Sequence, residues 1–211
     1  MVHVPGGEFS FGSSRFYDEE GPPHPAKVSG FWIDVHPVTN AQFARFVKAT
    51  GYVTHAERGT RIEDDPALPD ALRVPGAMVF HQGADVLSPG WQFVPGANWR
   101  HPQGPGSSLV GLDNHPVVQV ALEDAQAYAR WAGRELPSEA QLEYAMRGGL
   151  TDADFSWGST EQPKGKLMAN TGRASSPIAM RQRMALPVHR PWVASRPMAL
   201  ACSMPAAMSG S

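Results

Sequence analysis

The chain has 211 residues, 42% of them hydrophobic, and a formal charge of −2 at pH 7, enough for one sizeable core. No run of about 18 apolar residues occurs, so no membrane-spanning helix is expected. The single cysteine, Cys202, excludes an intramolecular disulfide and a multi-cysteine zinc site within these residues. The opening Met1-Val-His-Val-Pro-Gly-Gly has neither a basic stretch nor a long apolar one, so no secretory signal is expected and the expected compartment is the cytoplasm.

In chain order, Val2-His-Val-Pro-Gly-Gly-Glu-Phe-Ser-Phe11 predicts two short strands broken by a Gly-Gly turn, and the alternation from Lys27 to Val35 predicts another. Thr39 and Gln42 form a Thr-x-x-Gln capping box ahead of a helix whose Phe43, Phe46 and Val47 share a face and which Gly51 can end. Residues 59–93, with Pro66, Pro69, Pro75 and Pro89, read as a long excursion. A second helix is predicted from about Glu123 to Ala132, with early acids at its positive end, an Ala125, Tyr128, Ala129 and Ala132 stripe, and Gly133 closing it. A third begins at Ser138, where Ser-x-x-Gln141 is again a capping box, and ends at Gly148-Gly149 with Arg147 in its last turn. Glycine and proline, 21 and 20 residues, punctuate these segments without forming low-complexity runs, which predicts a loop-rich α+β fold.

Several familiar chemistries are not encoded. The eight histidines show no His-Glu-x-x-His or comparable ligand spacing, and Asp18-Glu-Glu20 and Glu63-Asp-Asp65 read as solvated loop charges. Gly104-Pro-Gly-Ser-Ser108 lacks the lysine of a phosphate loop, and the Gly6-Gly7 turn lacks the dinucleotide pattern.

The tail differs in kind from the body. All 20 acidic residues and 13 of the 18 basic ones precede residue 172, giving −7 there and +5 in residues 172–211, where five Arg and five Met stand without an acid. A basic tail invites a nucleic-acid reading, but the methionine, alanine and scattered proline with no apolar period suggest translation in a shifted frame. If one nucleotide were lost near Thr171, Met184-Ala185, Trp192-Val193 and Met198-Ala199 would each force a restored glycine, and Met208-Ser209 admits valine. So reread, the tail can spell WQGEFP, then PPNGSGL, then GNVWE. Residues 172–211 are therefore expected not to pack, since they have little means of offsetting about 1–2 kcal/mol per ordered residue.

Three ordered motifs say most about the chain: Pro95-Gly-Ala-Asn-Trp-Arg-His-Pro-Gln-Gly-Pro105, His115-Pro-Val-Val, and Leu136-Pro-Ser-Glu-Ala-Gln-Leu-Glu-Tyr-Ala-Met-Arg-Gly-Gly149. Phe155-Ser-Trp-Gly, Met168-Ala-Asn170 and Gly51-Tyr-Val-Thr-His-Ala-Glu-Arg58 accompany them. Together they resemble the formylglycine-generating enzymes, or sulfatase-modifying factors, over residues 2 to 171, and the shifted reading of the tail is similar to that family's next segment.

The resemblance implies an irregular, loop-rich C-type-lectin-like α+β fold, with a sulfatase-modifying factor domain at 1–171, incomplete at its C-terminus, followed by the non-native tail at 172–211. It implies an oxidase that uses copper(I) and oxygen to convert a sulfatase cysteine, in a Cys-x-Pro-x-Arg motif, to formylglycine. Copper(I) is held in the family by two cysteines of a late Arg-Gly-Gly-Ser-x-x-Cys-x-x-x-x-Cys segment, as suits a soft metal. No residue here matches that segment, so no catalytic residue is assigned, inactivity is expected, and Cys202 reads as incidental.

The resemblance also implies calcium. Asn170, through its side chain, and Thr171, through its carbonyl, match one site, although calcium needs about six oxygens and Asn170 also reads as a turn residue. Trp99, Arg100 and Pro102 match the border of the substrate-peptide groove. Trp99 could be a flat apolar wall and Arg100 a charged donor; equally, Trp99 could fill core and Arg100 pair with an acid. The implied partner is a sulfatase polypeptide, with no nucleic acid, no membrane and a monomeric chain. The alternative is a non-catalytic peptide- or ligand-binding module of the same superfamily. An iron-dependent sulfoxide-synthase branch is weaker, because Gly51–Arg58 and Asn98–Pro102 resemble the sulfatase-modifying branch.

Overall fold

The computed structural model describes residues 1–15, 17–81, 90–151, 153–166, 168 and 202–203. They divide into two units: residues 1–36 together with the described residues from Pro137 onward, and residues 37–136. Both mix helix and strand.

In the first unit, β1 (Val2–Val4) pairs antiparallel with β4 (Phe31–Ile33), Val2 opposite Ile33, and β2 (Gly7–Phe11) pairs with β3 (His24–Val28), Gly7 opposite Val28. The two strands expected before Phe11 are present. The single strand expected over Lys27–Val35 is instead two, because Ser29-Gly30 breaks the ladder and sends the chain into a different sheet. Gly6 sits at the crossing, where a Cβ would lie 2.7 Å from the Val28 carbonyl oxygen, so a larger residue would push the two backbones apart.

Helix α4 (Glu139–Arg147) follows the expected boundaries. The Ser138 hydroxyl accepts from the Gln141 N–H, the Gln141 side chain accepts from the Ser138 N–H, and Gly148 closes the helix at φ 58°. Ala140, Tyr144 and Ala145 of α4 pack, with Val4 and Phe9, on the buried Val28, Phe31 and Ile33. Full burial of one such side chain stabilises by about 1.5–3 kcal/mol.

The expectation of an unpacked tail meets one difference. Cys202–Ser203 form a two-residue strand, β7, whose backbone pairs with Trp32 and Ile33 of β4. Residues 172–201 and 204–211 lie outside the described residues, as do Asn170 and Thr171.

The second unit is organised by aromatic packing. Helix α1 (Asn40–Thr50) has the anticipated reciprocal capping box between Thr39 and Gln42, and Gly51 ends it at φ 67°. Phe43, Phe46 and Val47 are buried together with Trp99 and with Tyr128 of α3 (Leu122–Trp131). Phe43 stacks with Tyr128 at 5.9 Å and meets Trp99 edge-on at 5.2 Å, geometries that add about 0.5–1.5 kcal/mol per pair to the area buried.

The excursion expected over residues 59–93 is more ordered than proline spacing suggests. It contains β5 (Gly76–His81), which pairs antiparallel with β6 (Gly90–Pro95), while the intervening residues 82–89 are not described. Val79 is buried, whereas Met78, Phe80 and Trp91 are exposed, the alternation a strand pair requires when one face is covered. Among the described residues, no helix is long and apolar enough to cross a membrane.

A candidate substrate-groove loop

Residues 96–107 of the second unit form a tightly cross-bonded loop. Gly96 turns the chain at φ 77° where a Cβ would lie 2.8 Å from Pro105 Cγ. The Asn98 side chain then acts as a local template. Its Oδ1 accepts from the backbone N–H of Arg100 (2.9 Å) and His101 (3.2 Å), and its Nδ2 donates to the Gly96 carbonyl (3.1 Å). Asn98 and His101 also exchange backbone hydrogen bonds at 3.1 and 3.0 Å. His101 Nδ1 lies 2.6 Å from the Ser107 carbonyl, which can only accept, so that nitrogen carries the proton. Pro102 is buried, and its carbonyl accepts from Gln119 Nε2 at 3.0 Å.

The loop therefore brings Trp99, Arg100 and Pro102 into one turn but gives them unlike roles. Trp99 is 1% exposed, and its ring packs edge-on against Phe43. Arg100 covers it, the guanidinium carbon lying 4.2 Å from the ring centroid, a cation–π stack. The Arg100 side chain remains 47% exposed, and its Nε reaches Glu57 Oε1 at 3.4 Å.

Glu57 belongs to α2 (His55–Arg58), a single helical turn. Its Oε2 accepts from both the N–H and the hydroxyl of Thr54, at 3.0 and 2.8 Å. Burial pushes the carboxyl up, but the Thr54 N–H, the Thr54 hydroxyl and the Arg100 guanidinium outweigh it and hold Glu57 below the usual carboxylate range. A lowered folded-state pKa contributes stability that is present above the unfolded value of about 4.3 and is lost as pH falls through the folded one. Glu57→Gln is thus expected to be less stable than the unsubstituted chain at pH 7, with the difference closing as acid protonates Glu57. Urea midpoints from pH 7 to pH 3 measure this, and a difference independent of pH would contradict it.

Helix α2 is itself pinned to the start of α3. Asp124, fully buried, accepts from the Tyr52 hydroxyl (3.0 Å) and the His55 N–H (3.1 Å) through Oδ1, and from the Ala121 N–H (2.8 Å) through Oδ2. Burial first, then the Asp124 carboxylate, raises the Tyr52 phenol above its ordinary value, while Arg58 opposes the rise. His55 Nδ1 meets Glu123 at 2.7 Å and its Nε2 meets Thr60 Oγ1 at 3.0 Å, and Glu123 also pairs with Arg58. The constraint runs from α3 through Asp124 to α2, and from Glu57 to Arg100.

Sequence reasoning missed Glu57, Asp124 and Tyr52. Thr54-x-x-Glu57 was a readable capping box. Asp124 reads locally as an acid facing a helix dipole, and no local signal marks it as buried. Elsewhere, a cleft of about 580 Å³ in the first unit is lined by Phe11, Arg15, Glu143, Arg147, Asp154 and Phe155 among others, and contains none of the anticipated groove residues. Among the described residues, no group of three or more His, Cys, Asp or Glu could hold a metal ion.

The family described as sulfatase-modifying factor enzyme 1-like domain matches residues 1–194, so the match does not stop at residue 171, where the motifs end. The chain is similar to the formylglycine-generating enzyme of Mycobacterium tuberculosis, with 52% identity over 182 residues, covering 84% of this chain and 60% of that protein. It is similar to the formylglycine-generating enzyme of Mus musculus at 42% identity, covering 85% of this chain and 48% of that protein. It is also similar to the inactive C-alpha-formylglycine-generating enzyme 2 of Mus musculus at 40% identity, covering 77% and 52%. The chain thus spans about half to three-fifths of the length of these relatives. Among solved structures, PvdO from Pseudomonas aeruginosa aligns at 22% identity with a TM-score of 0.43, covering 77% of this chain and 50% of that one.

Proposed function

Because this chain belongs to the sulfatase-modifying factor enzyme 1-like family, we propose that it carries the polypeptide-binding part of a formylglycine-generating oxidase acting on a sulfatase cysteine in a Cys-x-Pro-x-Arg motif, and that it does not complete the oxidation itself. The observation that carries the reading is the Asn98–Pro102 loop, over-determined by hydrogen bonds and a buried tryptophan yet presenting a half-exposed arginine. A loop held that firmly is suited to binding, since little conformational freedom remains to be lost. The finer fold reading, a C-type-lectin-like arrangement, belongs to the same proposal.

The family's copper(I) does not fit these residues. A two-thiolate site needs two cysteines, and the 211 residues hold one. The calcium ligands proposed at Asn170 and Thr171 lie outside the described residues. Residues 172–211 are read within this proposal as a shifted-frame product, and the chain as a cytoplasmic monomer without nucleic-acid or membrane partners.

A non-catalytic binding module is the second reading, supported by the similarity to a relative named as inactive. Incubating the purified chain with a Cys-x-Pro-x-Arg peptide, copper(I) and oxygen is expected to leave the peptide mass unchanged. Formylglycine detected above background by mass spectrometry would refute the claim that the chain cannot complete the reaction.

A further inference from the structure

The guanidinium of Arg100 is held on two sides and open on the third. Its face lies 4.2 Å from the Trp99 ring centroid and its Nε reaches Glu57 at 3.4 Å, while its two terminal amino groups meet no acceptor among the described residues. A lysine or methionine stem would cover Trp99 as well; what arginine adds is a planar edge of parallel N–H groups.

Glu57 leaves much of that charge unspent. One of its oxygens is taken by the Thr54 N–H and hydroxyl, and the other stands 3.4 Å from Nε, longer than the 2.7–2.9 Å or so of a strong charge-assisted bond. The neighbouring cation on α2, Arg58, is already paired with Glu123. An anion arriving at this edge would meet one open guanidinium backed by one carboxylate. A carboxylate matches that edge in shape, its two coplanar oxygens facing two parallel N–H groups.

We propose that Arg100 is a carboxylate-binding position that reads an acidic side chain of the bound polypeptide, with Trp99 and Glu57 as positioning residues that fix the plane of the fork. The proposal rests on the polypeptide-binding reading above. It assigns a selectivity for acidic residues flanking the Cys-x-Pro-x-Arg motif.

The test uses the full chain and a set of fluorescent Cys-x-Pro-x-Arg peptides in which one Glu is moved through the flanking positions, each with a Gln twin and a phosphoserine twin. Fluorescence anisotropy at low salt should show at least one Glu peptide binding roughly five- to tenfold more tightly than its Gln twin, with the ratio shrinking as ionic strength rises. Arg100→Gln should remove the ratio and Arg100→Lys should weaken it, both leaving the thermal midpoint near that of the unsubstituted chain. If Glu and Gln twins bind alike, if the ratio survives Arg100→Gln, or if the phosphoserine twin binds more tightly than the Glu twin, the carboxylate assignment is wrong while polypeptide binding stands. If no peptide binds at all, the polypeptide-binding reading fails and the assignment with it.

Discussion

Replacing Asp124 by alanine is expected to destabilise the second unit by about 3–5 kcal/mol, because it takes the acceptor from three donors at once. Three donors depend on this carboxylate, the Tyr52 hydroxyl and the N–H groups of His55 and Ala121. Each would be left without its acceptor in a site from which Asp124 itself is fully shielded, and an unsatisfied buried group costs about 1–3 kcal/mol. Asp124→Asn keeps one acceptor oxygen but turns an amide toward at least one donor, so an intermediate loss is expected. Urea unfolding measures both losses. The Tyr52 phenol supplies an independent check: burial and Asp124 together raise it, so in Asp124→Ala its titration should move back toward an ordinary tyrosine. A variant within about 1 kcal/mol of the unsubstituted chain, with the phenol unmoved, would show that Asp124 does not hold α2 to α3.

Trp99→Ala should be of similar size, about 3–5 kcal/mol, because it opens a cavity where a large ring packs on Phe43. The contrast with its neighbour is the informative part. Arg100 is half exposed and its ion pair with Glu57 is partly solvated, so Arg100→Ala is expected to cost less than about 1 kcal/mol. Thermal and urea unfolding of the two variants side by side would separate a core residue from a recognition residue one position apart. If Trp99→Ala costs no more than Arg100→Ala, the ring is not structural and the flat-wall reading of Trp99 returns.

Helices α1 and α4 could be read from the sequence to within a residue, because their determinants are local. Thr39 with Gln42 and Ser138 with Gln141 satisfy each other within one turn, and Gly51 and Gly148 adopt the left-handed conformation that ends each helix. The motifs from Pro95 to Gly149 likewise identified the family without coordinates, since they are strings of residue identity. What escaped was decided at long range. Glu57 reaches Arg100 across 43 positions, and Tyr52 reaches Asp124 across 72, and nothing within a helical turn of any of them marks that meeting. The division at Ser29-Gly30 and the pairing of β5 with β6 belong to the same class, because a strand's existence depends on its partner as well as on its own alternation. For adjacent Trp99 and Arg100, residue type allowed both a core and a groove role. Only the packing of Phe43 against the indole, and the absence of a second acceptor around the guanidinium among the described residues, assigned one to the interior and the other to solvent.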